Sequence, residues 1–392
     1  MKRALALAIA CMIVHDGIMA DRGSPLAPPY NELGFKLLGE LAREAPTRNL
    51  LISPISIGMA LAMAYNGSAG QTRDEMGRAL GFEPMSLEQI NRANDNLLDA
   101  LSSSGPKIEL TLANSLWARS GIRFKPDFLD RSRRYFRAQV AELDFRDPQS
   151  PQTINRWVSQ ATRNKIQKII EQISPNAVMF LINAVHFKGR WEVEFDRAKT
   201  AEGVFRLADG RQKRVPMMSG WGSYPYLRGD GFQAVSMHYG GRSVSFYLFL
   251  PDEPVGLEVL LSKLNRENWD RWMRGFKKME GEIRMPRFKS ECERELKPAL
   301  SAAGIRSAFD PSRADFSELR TERDVFISGV RHKAVVEVNE EGTEAAAVTS
   351  VVISITSARA GFSLVVDRPF LFAIRDERTG VILFLGAILD PQ

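Results

Sequence analysis

The chain has 392 residues, 44% of them hydrophobic and 26% charged, with a formal net charge of +6. That profile excludes a disordered or fibrous protein, and basic residues without interleaved aromatics exclude the usual nucleic-acid modules. Beyond the N-terminus no run approaches the roughly 20 apolar residues that a bilayer span needs, so no membrane segment is expected.

Residues 1–20 read as a signal peptide: Lys2 and Arg3 give a positive start, residues 4–14 are apolar, and small Ala20 suits the cleavage site. Export would remove Cys11 and leave Cys292 alone, so no internal disulfide is expected and the fold needs a large core of its own. Helical spacing links Leu33, Leu37, Leu38 and Leu41, then residues 57–65. Asn66-Gly67-Ser68 is a glycosylation sequon, which makes Asn66 a candidate acceptor. A third helix is expected over 87–101 and a fourth over 151–170, where Ile154, Trp157, Val158, Ala161 and Ile169 share a side. Strands are expected at 178–187, 243–250, 325–338, 369–374 and 381–389. Helices in the first half and strands in the second argue for an α+β fold, with 21–392 as a single domain.

Enzyme chemistry finds little support. Asn66-Gly67-Ser68-Ala69-Gly70 lacks the first glycine of a nucleophile elbow. His186, His238 and His332 are far apart, with no HExxH pair for zinc, and neither a GxxxxGK[ST] loop nor a complete GxGxxG occurs. No cofactor or metal is expected. Basic residues gather at 131–134, 211–214 and 271–278. These are solvated faces or landing sites for a sulfated glycan.

Residues 340–360 are unusual, with small residues first and β-branched ones after. At period two, Thr343, Ala345, Ala347, Thr349, Val351 and Ile353 form a face without a charge, as a strand in the middle of a sheet requires. An alanine run is also helix-competent, so the local preference is weak and the segment is a candidate switch.

Glu340-Glu341-Gly342-Thr343-Glu344-Ala345-Ala346-Ala347 resembles the reactive-loop hinge of inhibitory serpins, and Val365-Val366-Asp367-Arg368-Pro369-Phe370-Leu371-Phe372 is similar to that family's C-terminal signature. Asn49-Leu50-Leu51-Ile52-Ser53-Pro54-Ile55-Ser56-Ile57 resembles the family's second helix, and Asn183-Ala184-Val185-His186-Phe187-Lys188-Gly189-Arg190-Trp191 the end of a strand bordering the insertion gap. Loop and C-terminus look like those of secreted serpins from blood-feeding arthropods. The resemblance implies about nine helices, three β-sheets and an exposed reactive-centre loop at about 340–362. It also implies a secreted, extracellular, monomeric inhibitor that forms covalent complexes with serine proteases and is not itself catalytic. The alternative is a non-inhibitory relative acting as a carrier. In such an inhibitor, as the resemblance implies, insertion of the cleaved loop into a sheet releases strain stored in the intact protein.

The resemblance assigns hinge roles to Glu340, Gly342, Thr343, Ala345, Ala346 and Ala347, with the Thr343 side chain expected to be exposed before cleavage. It makes Ser53, Ser56, Asn183 and His332 residues that hold the gap between central strands, and puts Trp191 at the top of the sheet. The helix matching the family's heparin-binding helix, 87–101, carries Glu88, Asp95 and Asp99 against Arg92, which argues against heparin activation there. Two counts place the scissile bond. The hinge spacing that the resemblance implies, fourteen residues on from Gly342, gives Thr356-Ser357, preferred because the inserted strand has a fixed length to fill; counting back from Pro369 lands near Ala358, beside the alternative Arg359-Ala360.

Overall fold

The structure, a computed structural model, describes residues 23–103, 107–320, 322, 324–343 and 361–391. Helix α1 (Ala27–Glu44) turns Leu33, Leu37, Leu38 and Leu41 inward, as their spacing predicts, together with Tyr30. After the short β1 (Leu50–Ile52), Ser53 caps α2 (Pro54–Gly67), with the Ser56 amide donating to its Oγ at 3.4 Å and Pro54 where no amide is needed. Nearly every side chain of α2 is apolar, so this helix is buried on all sides. Then come α3 (Gly70–Ala79) and α4 (Leu87–Ser102), the latter opened by a capping box between Ser86 and Gln89.

Strand β2 (Ile108–Arg119), α5 (Pro126–Phe136), β3 (Gln139–Leu143) and α6 (Ser150–Ala161) follow. The helix expected to reach residue 170 stops at Ala161, because Arg163 and Asn164 take left-handed conformations with φ of 50° and 63°. The chain then doubles back. Asn155 Oδ1 accepts the amides of Ile169 and Ile170, so Ile169 reaches the same apolar cluster as Ile154 by returning to it.

Strands dominate the remainder: β4 (Met179–Arg190), β5 (Ala201–Arg206), β6 (Gln212–Gly229), β7 (Phe232–His238) and β8 (Val244–Pro251). Helices α7 (Gly256–Ser262) and α8 (Arg266–Gly275) precede β9 (Lys277–Pro286) and β10 (Phe288–Glu295). The last elements are α9 (Lys297–Ala302), β11 (Ile327–Asn339), β12 (Gly342–Thr343), β13 (Phe362–Val365), β14 (Phe370–Asp376) and β15 (Ile382–Ile388). The α+β class and the nine α-helices match expectation among the described residues.

The sheet count differs. Among the described residues there are two hydrogen-bonded sheets rather than three, one of nine strands and one of six. The reason is β6, whose 18 residues pair with β9 over Met217–Tyr226 and with β7 over Tyr226–Gly229, so one strand serves two neighbourhoods. The six-stranded sheet has the order β10-β11-β12-β4-β2-β3 and carries an apolar layer on each face. Met179, Leu181 and Val185 join the main core with α2, while Phe180, Ile182 and Ala184 pack with the α6 cluster. A strand covered on both sides reads as a continuous apolar run, which is why β4 was legible.

Candidate functional site

Strand β11 runs parallel to β4 from Ile327 to Val335, with His332 opposite Asn183. On the other side β2 is antiparallel to β4 and sets Asn114 opposite the same asparagine. Three polar side chains therefore cross the six-stranded sheet in a row beneath the N-terminus of α2. The Ser53 amide donates to His332 Nε2 at 3.2 Å, so the ring's hydrogen is on Nδ1, which donates to Asn183 Oδ1. The Asn183 amide donates to Ser56 Oγ and to Asn114 Oδ1. Burial pushes His332 down to about 3, which keeps the ring neutral and suits one accepting and one donating nitrogen. The bond between His332 and Asn183 spans the seam between β11 and β4, so the seam cannot open while it lasts.

Above this row the two strands part and β12 lies between them. Gly342 and Thr343 pair with Asn339 and Val338 of β11 on one side and with Arg190 and Gly189 of β4 on the other. The turn is tight enough to demand glycine. Gly342 has φ of 147°, and a Cβ there would meet the Gly189 carbonyl oxygen at 2.0 Å. Thr343 is not exposed as expected; its exposure is 0%, and its hydroxyl meets the Tyr239 hydroxyl at 2.6 Å. The expectation failed because Gly342 and Thr343 already pair with both β11 and β4 as a short strand.

The turn is held at both of its acids. Arg287 donates Nε to Glu340 Oε1 at 2.6 Å, and Thr200 Oγ1 donates to the same oxygen at 2.5 Å. Burial pushes the Glu340 carboxyl up, but these bonds outweigh it and hold the group below the ordinary range. Glu341 is paired with Arg197, and its second oxygen is buried without a partner among the described residues. Trp191 closes the top: its ring stacks on Tyr239 with centroids 4.5 Å apart, its Nε1 donates to the Asn339 carbonyl, and its amide to that of Glu341.

The structure thus brings together Ser53, Ser56, Asn183 and His332 in one cluster and Glu340, Gly342, Thr343 and Trp191 in a second. Ala345, Ala346, Ala347, Thr356, Ser357, Arg359 and Ala360 lie outside the described residues. Asn66 needs correcting as a glycosylation site. It is 0% exposed, and its amide donates to the Ala62 carbonyl at 3.0 Å and to Asn91 Oδ1 at 2.7 Å, so the folded chain leaves no room for a glycan on that nitrogen. Asn114, Tyr239, Arg197 and Arg287 escaped the sequence reading. Asn114 alone had a local signal, a polar side chain at an inward position of an apolar strand.

The family pattern described as "Serpin (serine protease inhibitor)" matches residues 29–391. The chain is 35% identical to human Serpin B8 over 365 residues, covering 91% of this chain and 96% of that one. It is 34% identical to the leukocyte elastase inhibitor of Bos taurus, covering 90% and 95%. Among solved structures, the thermophilic serpin tengpin in its native state superposes with a TM-score of 0.84 at 32% identity, covering 92% and 94%. Human thyroxine-binding globulin with its hormone gives 0.87 at 27%, covering 94% and 99%. With its two central strands parted by a hinge and its likeness to these proteins along nearly its whole length, the chain belongs to the serpins, a family of protease inhibitors rather than enzymes.

Proposed function

We propose that the protein is a secreted, monomeric suicide substrate that traps serine proteases by inserting its cleaved loop between β11 and β4. The observation that carries this reading is β12. Its two residues already bond to both neighbours, so they set a register that the following residues would continue. Each further residue steps one place back along both strands. Thr349 then arrives opposite Asn183 and opposite His332 at once, because those two already face each other. Its hydroxyl takes the place of the bond that insertion must break.

The same register measures the slot. Ile353 reaches Met179, the first residue of the 12-residue β4, so the inserted strand is full just before Thr356. This supports cleavage at Thr356-Ser357 and a protease with a small or apolar pocket over one directed to Arg359-Ala360. Thr343 points inward, so Ala345, Ala347, Thr349, Val351 and Ile353 follow it inward, and no charge enters the core. Insertion of about 15 residues at roughly 3.3 Å each moves a tethered protease by near 50 Å. It also exchanges one ladder for two.

Export rests on the signal-like residues 1–20, which lie outside the described residues. No helix among the described residues is long and apolar enough to cross a membrane. The basic runs 131–134, 211–214 and 271–278 remain the places a sulfated glycan would meet; protease nexin-1, of similar structure, has been solved with heparin. Incubation with elastase-, chymotrypsin- and trypsin-like proteases tests the proposal. An inhibitor gives a covalent band on denaturing gels, whereas clean cleavage of the loop without that band would refute trapping and favour a carrier.

A further inference from the structure

Strands β6, β9 and β13 lie side by side at one end of the nine-stranded sheet, and their solvent-facing side is mostly polar. By register, Ser219 and Ser223 of β6 stand opposite Arg284 and Glu280 of β9, and Ser363 of β13 stands beside Glu282. Two exposed apolar side chains interrupt this face, Trp221 at 40% and Val365 at 37% exposure. Trp221 lies opposite Glu282, and its ring reaches the point where the chain returns from segment 344–360, which is outside the described residues. A Cβ on Gly361 would stand 3.2 Å from Cη2 of the indole. The ring is therefore next to the returning chain and still open to solvent.

We infer that Trp221, with Val365 two strands away, is a docking surface for the target protease outside its active-site cleft, where it meets an apolar side chain on the rim of that cleft. The inference rests on the inhibitor reading above. Chain length forces the encounter. Ser357 is four residues before Gly361, at most about 14 Å when fully extended, and Ala360 is its neighbour, so either scissile bond serves. A protease domain of roughly 200 residues has a radius of gyration of about 16 Å, so a tether this short cannot hold it clear of the sheet. The rim that comes down over Trp221 is the one that binds residues after the scissile bond. Tryptophan is among the residue types that most often carry the energy of an interface. Charge does not select the partner, because Glu280 and Glu282 alternate onto the same face as Lys278 and Arg284, and Arg359 lies outside the described residues. The apolar ring is what remains to be matched.

Elastase and chymotrypsin, each with its nucleophilic serine replaced by alanine, are titrated against the intact protein, so that docking is read whether or not trapping follows. Trp221→Ala should weaken the tighter complex about tenfold or more, and Trp221→Gln, which keeps bulk beside Gly361 but not the apolar surface, should do the same. Trp221→Phe should stay within about threefold of the wild type, with melting temperature recorded for every variant. With the active proteases the loss should appear in the rate of complex formation, while the number of inhibitor molecules consumed per protease trapped stays constant. Wild-type affinity in both Trp221→Ala and Trp221→Gln overturns the inference. An equal loss against both proteases with a raised stoichiometry also overturns it, because that marks a misplaced loop rather than a lost docking surface. Failure of both inactivated proteases to bind the intact protein overturns it as well. Binding that depends on Trp221 but yields no covalent band with active protease would refute trapping and leave the docking surface standing.

Discussion

Replacing Thr343 by arginine puts the seated hinge under the strongest strain. The wild-type hydroxyl is bonded to Tyr239 at 2.6 Å, and both residues are 0% exposed. Losing that bond and leaving the Tyr239 phenol unpaired costs about 1–3 kcal/mol. A guanidinium taken out of water at this 0% exposed position adds several kcal/mol more. The chain can avoid the second cost by withdrawing β12, which forfeits the pairings of Gly342 and Thr343 with both neighbours at about 1 kcal/mol per hydrogen bond. Either route costs roughly 3–5 kcal/mol, so intact Thr343→Arg should melt several degrees below the wild type. Trapping should fail as well, because insertion beyond the hinge must first seat the arginine between Gly189 and Val338, and the acyl bond hydrolyses during that delay. Thr343→Val removes the hydroxyl alone and should lose about 1–3 kcal/mol yet still form complexes. Melting curves and the number of inhibitor molecules consumed per protease trapped report both effects. Thr343→Arg with wild-type melting and unchanged stoichiometry would show that this residue does not sit in the sheet.

Cleaved protein should outlast intact protein on heating, since an added central strand completes two ladders, and identical melting temperatures would exclude insertion. Thr349→Val should lower the melting temperature of the cleaved form, by about 1–3 kcal/mol of lost bonding to Asn183 and His332, and leave the intact form alone; a cleaved variant as stable as cleaved wild type would sink the register. The C-terminal peptide released from denatured complex should begin at Ser357, and a start at Ala360 would favour the count from Pro369. His332 is neutral in the fold with its pKa near 3, whereas the unfolded chain takes up this proton below about 6.5. Its contribution is therefore complete above about pH 6.5 and falls by about 1.4 kcal/mol per unit as pH drops towards 3. His332→Gln, which can still accept from Ser53 and donate to Asn183, should flatten the fall in melting temperature between pH 7 and pH 5; an equally steep fall would remove His332 as its source.

Much of this protein was legible in one dimension because its signals are local. The apolar run of β4, the inward stripe of α1 and the uncharged alternation beginning at Thr343 depend on neighbours one to four residues away, where periodicity operates. Ser53, Ser56, Asn183 and His332 could be named from family likeness, but not that Asn114 completes their row. That follows from the strand order, which sets residues 69 apart in sequence within hydrogen-bond reach. Tertiary structure alone decided three further matters. Asn66 has the sequon that a glycan needs, yet Asn91, 25 residues on, takes its amide into the core. A third sheet fails to separate because β6 is long enough to pair at both ends with different strands. Thr343 looks like the start of an exposed loop until Tyr239, 104 residues earlier in the chain, offers it a buried hydroxyl. The Gly189 carbonyl meanwhile leaves room at Gly342 for a hydrogen and nothing larger. A sequence states what each residue can do; which partner comes within 3 Å of it is settled when distant strands pack, and this hinge is defined by such partners.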